Sequence, residues 1–223
     1  MNRPFDTTTG QLAVVAAERD RGGWDAPEAW RSYTRVGHVL RLLGRRERAH
    51  DVLATTLSHQ ERLLGHSHRD VATTLTELAY VQKNERERAE AEGSLERAET
   101  ILQTYDDVNS NRVRAQIQQL RGALARAAGN WERSGEYYLS ARSLACEANG
   151  VRSAVVAEHD IWMALLLDIP LGRIDAAAAR AAHAVDLLDS LGFGDHAAVP
   201  RALGVLAWTR AVRRDFAAVD SLF

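Results

Sequence analysis

Small residues recur through this chain at intervals too regular for anything but a structural repeat. When each unit is written as helix A, turn and helix B, Gly37, Ala79, Gly122 and Ala207 share one place in helix A, and Leu165 is the odd member. Gly44, Arg86, Gly129, Gly172 and Arg214 occupy the turn, 42, 43, 43 and 42 residues apart. Ala49, Ala91, Ser134, Ala177 and Val219 lie early in helix B. Leu53, Leu95, Tyr138, Ala181 and Phe223 follow four residues later, and Thr56, Ala98, Ala141 and Ala184 three beyond those. One small residue in helix A and two in helix B let paired helices approach closely. Large apolar neighbours such as Val36, Leu40, Leu75 and Leu78 then fill the ridges and grooves. A single unit has too little apolar surface to fold alone, so stacking must complete each core.

Between those positions apolar residues recur at three and four, and no sustained period-two alternation or Asn-Gly hairpin interrupts them. Ala, Leu, Arg and Glu dominate, all strong helix formers. The expected fold class is therefore all-α, a right-handed solenoid of helical hairpins with about five repeats. Expected units span about 28–68, 69–109, 110–150, 151–194 and 195–223. Residues 1–27 form an N-terminal capping helix (Leu12 to Arg21) and linker, with Asp25, Pro27 and Glu28 opening the next helix. The fifth helix B stops at Phe223 in mid-helix. Its apolar face then lacks a successor, so self-association through Phe216 and Phe223, as a homodimer of C-terminal units, is expected.

The stretches "VGHVL…GRRERAHDVLATT" (36–56), "LAYVQ…AEAEGSLERA" (78–98) and "GNWERSGEYYLSA" (129–141) resemble the tetratricopeptide repeat (TPR) family. They echo its helix-A Leu-Gly/Ala-x-x-Tyr and helix-B Ala-x-x-x-Phe-x-x-Ala. The period is longer than the usual TPR unit of about 34 residues. It is similar to the long repeats of kinesin light chains and bacterial regulators, and "LLGHSHRDVATTLTELAYV" looks like their linker. A HEAT-type solenoid also fits the period, but its proline kink and Asp/Arg ladder are not evident.

Composition narrows the function classes. A formal charge of −2 provides no general attraction to nucleic acid or anionic membrane. Cys146 is the lone cysteine, which suits a reducing cytoplasm and reads as a packing thiol. The N-terminus has no signal-peptide core, and the longest apolar run, Ile161 to Leu167, is too short to span a bilayer. A soluble cytoplasmic protein is expected.

Any chemistry would start at Gly65-His66-Ser67-His68 and Asp70. However, His196 lies four residues before Pro200 as His68 lies four before Ala72, and a residue recurring in a repeat reads as a turn or cap. One His-x-His supplies two ligands where zinc needs three or four. The other histidines are dispersed, and no Walker motif, GxGxxG or nucleophile elbow occurs. No catalytic residue, cofactor or metal is expected, and the chain reads as a non-enzyme.

The resemblance implies a partner-binding groove lined by the A helices. The family's groove positions fall on Arg31, Thr34, His38, Arg41, Thr73, Thr76, Tyr80, Lys83, Asn84, Gln116, Gln119, Arg126, His159, Trp162, Leu166, Arg201 and Trp208. Basic and amide residues early and tryptophans late suit a protein or peptide segment with acidic residues at one end and a hydrophobic anchor at the other. The tryptophans could equally be core residues. Thr76-Glu77 stands where kinesin-light-chain-like repeats have paired asparagines. Thr34 and His38 stand where a chaperone-tail clamp has Lys and Asn, so neither type of ligand is expected. The functional expectation is a protein- or peptide-binding scaffold. Two alternatives are the ligand-sensing TPR portion of a bacterial transcriptional regulator, its DNA-binding domain outside these residues, and an enzyme of unfamiliar type.

Overall fold

The computed structural model describes residues 27–84 and 86–215, with side chains from Ala29 onward. The expected capping helix, the Asp25 cap, Val219, Phe216 and Phe223 lie outside those residues. The described chain is helical, without a strand, in two compact units divided after Asp106.

The first unit holds four helices: α1 (Pro27–Leu42), α2 (Arg46–Leu64), α3 (Arg69–Gln82) and α4 (Arg88–Leu102). Helix α1 packs on α2, and α3 on α4, with α2 and α1 also meeting α3. The second unit holds α5 (Val108–Ala127), α6 (Trp131–Asn149), α7 (Ala154–Met163, then one widened turn, Ala164–Asp168), α8 (Ile174–Ser190) and α9 (Val199–Val212). There α5 packs on α6, α7 on α6 and α8, and α9 on α8.

The repeated small residues are the contact points of these hairpins. A methyl group on Gly37 would stand 2.4 Å from Leu53 Cγ, and one on Gly122 would stand 3.0 Å from the Tyr138 ring. Ala79, Ala91, Leu95 and Ala98 are fully buried, as are Ala141, Ala177, Ala181 and Ala184. Ser134 adds a hydrogen bond, its Oγ donating to the Gly122 carbonyl at 2.8 Å. The close approach thus joins a small helix-A residue to a large helix-B one.

Leu165 breaks this rule for a local reason. The widened turn has Ile169 N–H donating to Ala164 O, five residues back, at 3.0 Å. Pro170 follows at once, and its ring would clash with the carbonyl four residues back in a regular helix. The turn inserts one residue, so Ala164, not Leu165, takes the small position. Ala164 is fully buried with Ala177 and Ala181, while Leu165 packs only at the edge of that cluster. From N-cap His68 to Ala79, and from N-cap Ser153 to Ala164, the count is the same eleven residues.

Turns and linkers follow the repeat with different chemistry. Gly44, Gly129 and Gly172 have φ of 71°, 78° and 69°, a left-handed backbone, and Arg214 adopts φ 60° at the same place. At Arg86 the turn is built otherwise: Asn84 Oδ1 accepts from the N–H groups of Arg86 and Glu87, both at 2.9 Å. His68 is the N-cap of α3, and His196 makes the same kind of bond two residues before Ala198, the N-cap of α9. His68 Nδ1 accepts from Asp70 N–H at 3.1 Å, and His196 Nδ1 from Ala198 N–H at 3.2 Å. Both therefore carry a bare Nδ1 and satisfy a helix-start donor that has no intrahelical partner. Asp107, Asn130 and Ser153 do the same for α5, α6 and α7.

Candidate functional site

The A-helix faces of the two units differ in chemistry. In the first unit α1 and α3 lie side by side and their polar residues satisfy one another. Arg31 Nε donates to Asp70 Oδ2 at 3.1 Å. Thr34 Oγ1 donates to Trp30 O and lies 2.9 Å from Thr74 Oγ1. Glu77, only 9% exposed, receives His38 Nδ1 at 3.0 Å and Arg41 Nε at 3.3 Å. The Arg41 guanidinium also lies 4.7 Å over the Tyr80 ring, and Lys83 lies 5.8 Å from the same ring. Arg31, His38 and Arg41 thus already face carboxylates.

Three expected groove residues of this unit serve other purposes. Thr76 is fully buried, its Oγ1 donating to Ala72 O at 2.9 Å. Thr34 is 8% exposed and tied to Thr74. Asn84 builds the turn described above. A helix position counted from a neighbouring repeat tells which way a side chain leaves the axis, but not how closely the next helix covers it.

In the second unit several expected positions converge. Helices α5 and α7 each join α6 through a short turn, so they run in the same direction. A cleft of about 450 Å³ opens between them, closed at one side by the C-terminal turn of α6. Helix α5 contributes Arg112, Gln116 and Gln119, and α7 contributes Val155, Glu158, His159 and Trp162. Ala145 and Asn149 come from α6. Four expected residues, Gln116, Gln119, His159 and Trp162, therefore line one cavity.

Its electrostatics are distinct. His159 is 7% exposed, and burial pushes its imidazole below the usual histidine value, against the pull of neighbouring Asp160. The ring is thus held neutral, with one donor and one acceptor nitrogen. Trp162 is half-buried, with the Arg201 guanidinium 5.1 Å from its ring centre. Glu158 lies 4.0 Å from both Arg201 and His196. Arg112 donates to Asn149 Oδ1 at 3.0 Å and to Asn109 Oδ1 at 3.4 Å.

The remaining expected residues lie elsewhere. Arg126 sits beside the buried Tyr138 hydroxyl, whose pKa is raised by burial and drawn back by that guanidinium. Leu166, partly buried, packs on the Tyr138, Met163 and Leu167 cluster. Trp208 is 41% exposed on α9. Cys146 is partly buried against the core, with Arg142 Nη1 3.9 Å from its sulfur. His66 is exposed near Glu61 and Arg97. Among the described residues no three His, Cys, Asp or Glu side chains gather as metal ligands, and no helix is long and apolar enough to cross a membrane.

Sequence reasoning missed Arg112 and a buried ionic network. Arg112 could have been found, because it extends Gln116 and Gln119 backward by one helical turn. The network joins Asp160, 3% exposed, to Arg142 at 2.6 and 3.2 Å, to His183 at 2.9 Å and to Arg180 at 3.6 Å. Arg180 also holds Asp168 at 2.8 Å. Its signal was two aspartates bracketing the apolar run Ile161 to Leu167. Asp160 in turn holds the Arg142 guanidinium above its ordinary value through their hydrogen bonds.

No family model matches the chain, and no curated protein matches it. Solved structures do. BtubC (BKLC) from P. vanneervenii superposes with a TM-score of 0.73 over 96% of this chain and 87% of that one, at 17% identity. The fold is that of TPR-like repeats. Two structures of a Podosopora anserina kinesin light chain with nearly identical TPR-like repeats, the second a point variant of the first, give TM-scores of 0.64 and 0.63. They cover 89% and 86% of this chain, and 93% and 90% of theirs, both at 15% identity. The TPR-like repeat expected from the small-residue register is thus the fold observed.

Proposed function

We propose that this TPR-like chain is a protein- or peptide-binding scaffold of the cytoplasm, non-catalytic, that receives its partner on the A-helix face of residues 107–215. The cleft between α5 and α7 carries this reading. It is concave, lies within the usual size range of ligand sites, and combines an aromatic wall with a few polar groups. Its amides and neutral imidazole suit hydrogen bonding to a peptide main chain, and its tryptophan suits an apolar anchor. The first unit lends less, because its arginines already face Asp70 and Glu77.

The test is site-specific photo-cross-linking in the source cells. A benzoylphenylalanine placed at Gln119, on the cleft, is expected to capture a discrete partner band. The same group at Leu139, 54% exposed on α6, is expected to capture none. Equal capture at both sites, or none at either, would remove the cleft from consideration.

A further inference from the structure

Helix α7 carries one residue more than its counterparts. From the small residue of helix A to the turn position, Gly37 to Gly44, Ala79 to Arg86 and Gly122 to Gly129 are each seven residues apart. Ala164 and Gly172 are eight apart. The widened turn Ala164–Asp168 takes up the extra residue, with Ile169 N–H reaching back five residues to Ala164 O. Such turns are rare, so something must hold this one open.

The apolar side chains do not. Leu165, Leu166 and Leu167 stand in a row. Closing the turn to a regular one would advance the residues beyond it by one place, about 100° around the axis. Leu166 would then take the place of Leu167, which is buried with Tyr138 and Met163, leucine for leucine. Ala164 would keep its contact with Ala177 and Ala181. Pro170 ends the helix in either form. For packing, the two registers are nearly equivalent.

One side chain is not interchangeable. Closing the turn would put Leu167 where Asp168 now lies. Asp168 is 2% exposed, and Arg180 of α8 donates from Nε to its Oδ2 at 2.8 Å. Nη1 of the same guanidinium stands 3.6 Å from Asp160 Oδ1. The two aspartates are eight residues apart. In a regular helix they would diverge by about 80°, and with one residue taken up in the turn by only about 20°. The widened turn therefore brings both acids to one arginine. Asp160 is also held by Arg142 of α6 at 2.6 Å and by His183 of α8 at 2.9 Å, which anchors the part of α7 before the turn.

We propose that α7 is a two-register helix, and that Arg180, clasping Asp160 and Asp168, selects the widened register. Without the clasp the turn closes, the residues beyond Ala164 advance by one place, and Leu166 replaces Leu167. With the clasp in place, closing would separate a buried carboxylate from its arginine, which is costly.

The experiment is solution NMR of the full chain with labelled leucine methyl groups, assigned by single leucine-to-valine changes. Gly135 is the reporter, because a methyl group placed on it would stand 3.5 Å from Leu167 Cδ2 and within 4 Å of no other side chain. In the parent, Leu167 methyls should show a through-space contact to the Gly135 α-protons. Asp168→Leu combined with Arg180→Met removes the clasp without stranding a charge, because Asp160 keeps Arg142 and His183. In that variant the Gly135 contact should pass from Leu167 to Leu166, wholly or in exchange. Its retention by Leu167 alone would overturn the proposal. Deletion of Leu166 leaves only the regular register, with Asp168 still beside Arg180, and should give a folded chain that keeps the contact of Leu167 with Gly135. Unfolding of residues 107–215 by that deletion would overturn the proposal as well. Should the double variant fail to fold, adding the deletion should restore it, and failure to restore it would count against the clasp in the same way.

Discussion

The two units partner the acids of their A helices differently. In residues 27–106 the acids of α3 pair across to α1: Asp70 with Arg31, and Glu77 with His38 and Arg41. In residues 107–215 the acids of α7, Asp160 and Asp168, turn instead toward Arg142 of α6 and Arg180 and His183 of α8. Those two acids of α7 go to helix B, and the face toward α5 keeps Glu158, 4.0 Å from Arg201, beside amides, His159 and Trp162. The same repeat thus leaves different groups on the A-helix face of each unit. Which results depends on where an acid falls around the helix, a difference of one or two positions.

The strongest test of this contrast is to remove the central acid on each side. Asp160→Ala should strand two arginines and a histidine around a buried site and cost about 3 kcal/mol, as when a buried pair loses one partner. Glu77→Ala should cost less, because Glu77 is 9% exposed against 3% for Asp160 and faces one arginine in place of two. Urea titration of the two variants measures both. Equal losses would mean that the networks do not differ in burial as described.

The next effect concerns the close helix contacts. Gly37→Ala must displace Leu53, which is fully buried, and should destabilise by about 1–2 kcal/mol after the helix-propensity gain of an alanine. Gly122→Ala meets the Tyr138 ring edge at 3.0 Å, needs a smaller shift, and should be close to neutral. Thermal melts should order the variants in this way. The reverse order would show that Tyr138 yields less readily than Leu53.

A smaller effect is expected at the caps. His68→Ala should cost about 1 kcal/mol, and His68→Asn should restore much of it, because an amide oxygen can accept the same Asp70 N–H. A loss that Asn does not restore would point to packing in place of capping.

The last test is pH. His159 has its folded pKa lowered by burial, so the unfolded chain binds more protons below its ordinary value near 6.5. Its contribution is present above that pH and lost as pH falls toward the folded value. His159→Gln should therefore flatten the fall in stability below about pH 6.5 relative to the parent. An unchanged slope would show that His159 is not kept neutral by the fold.

Much of the architecture was legible because the repeat repeats its steric requirements. Gly37 against Leu53 and Gly122 against Tyr138 are one rule stated twice, and His68 and His196 each accept from the N–H two residues on. The register failed at Leu165, because counting back from Gly172 assumes regular turns and the turn before Pro170 is widened. Of the residues counted onto the A-helix face, Gln116, Gln119, His159 and Trp162 line one cleft, whereas Thr76 is buried, Leu166 packs on a neighbouring cluster and Asn84 holds a turn.

What the sequence by itself determined was spacing: helix lengths, turn positions, caps and the small residues that let helices touch. These depend on interactions within one hairpin, where separation along the chain is short and geometry follows from periodicity. Pairing of charge was decided only by tertiary structure. Asp160 meets Arg142, 18 residues away, and His183, 23 away, while Arg31 meets Asp70, 39 away. An aspartate has the same composition and local pattern whichever neighbour it faces. Only the packed position of the next helix determines whether an arginine meets a carboxylate, as Arg31 does, or asparagine oxygens, as Arg112 does.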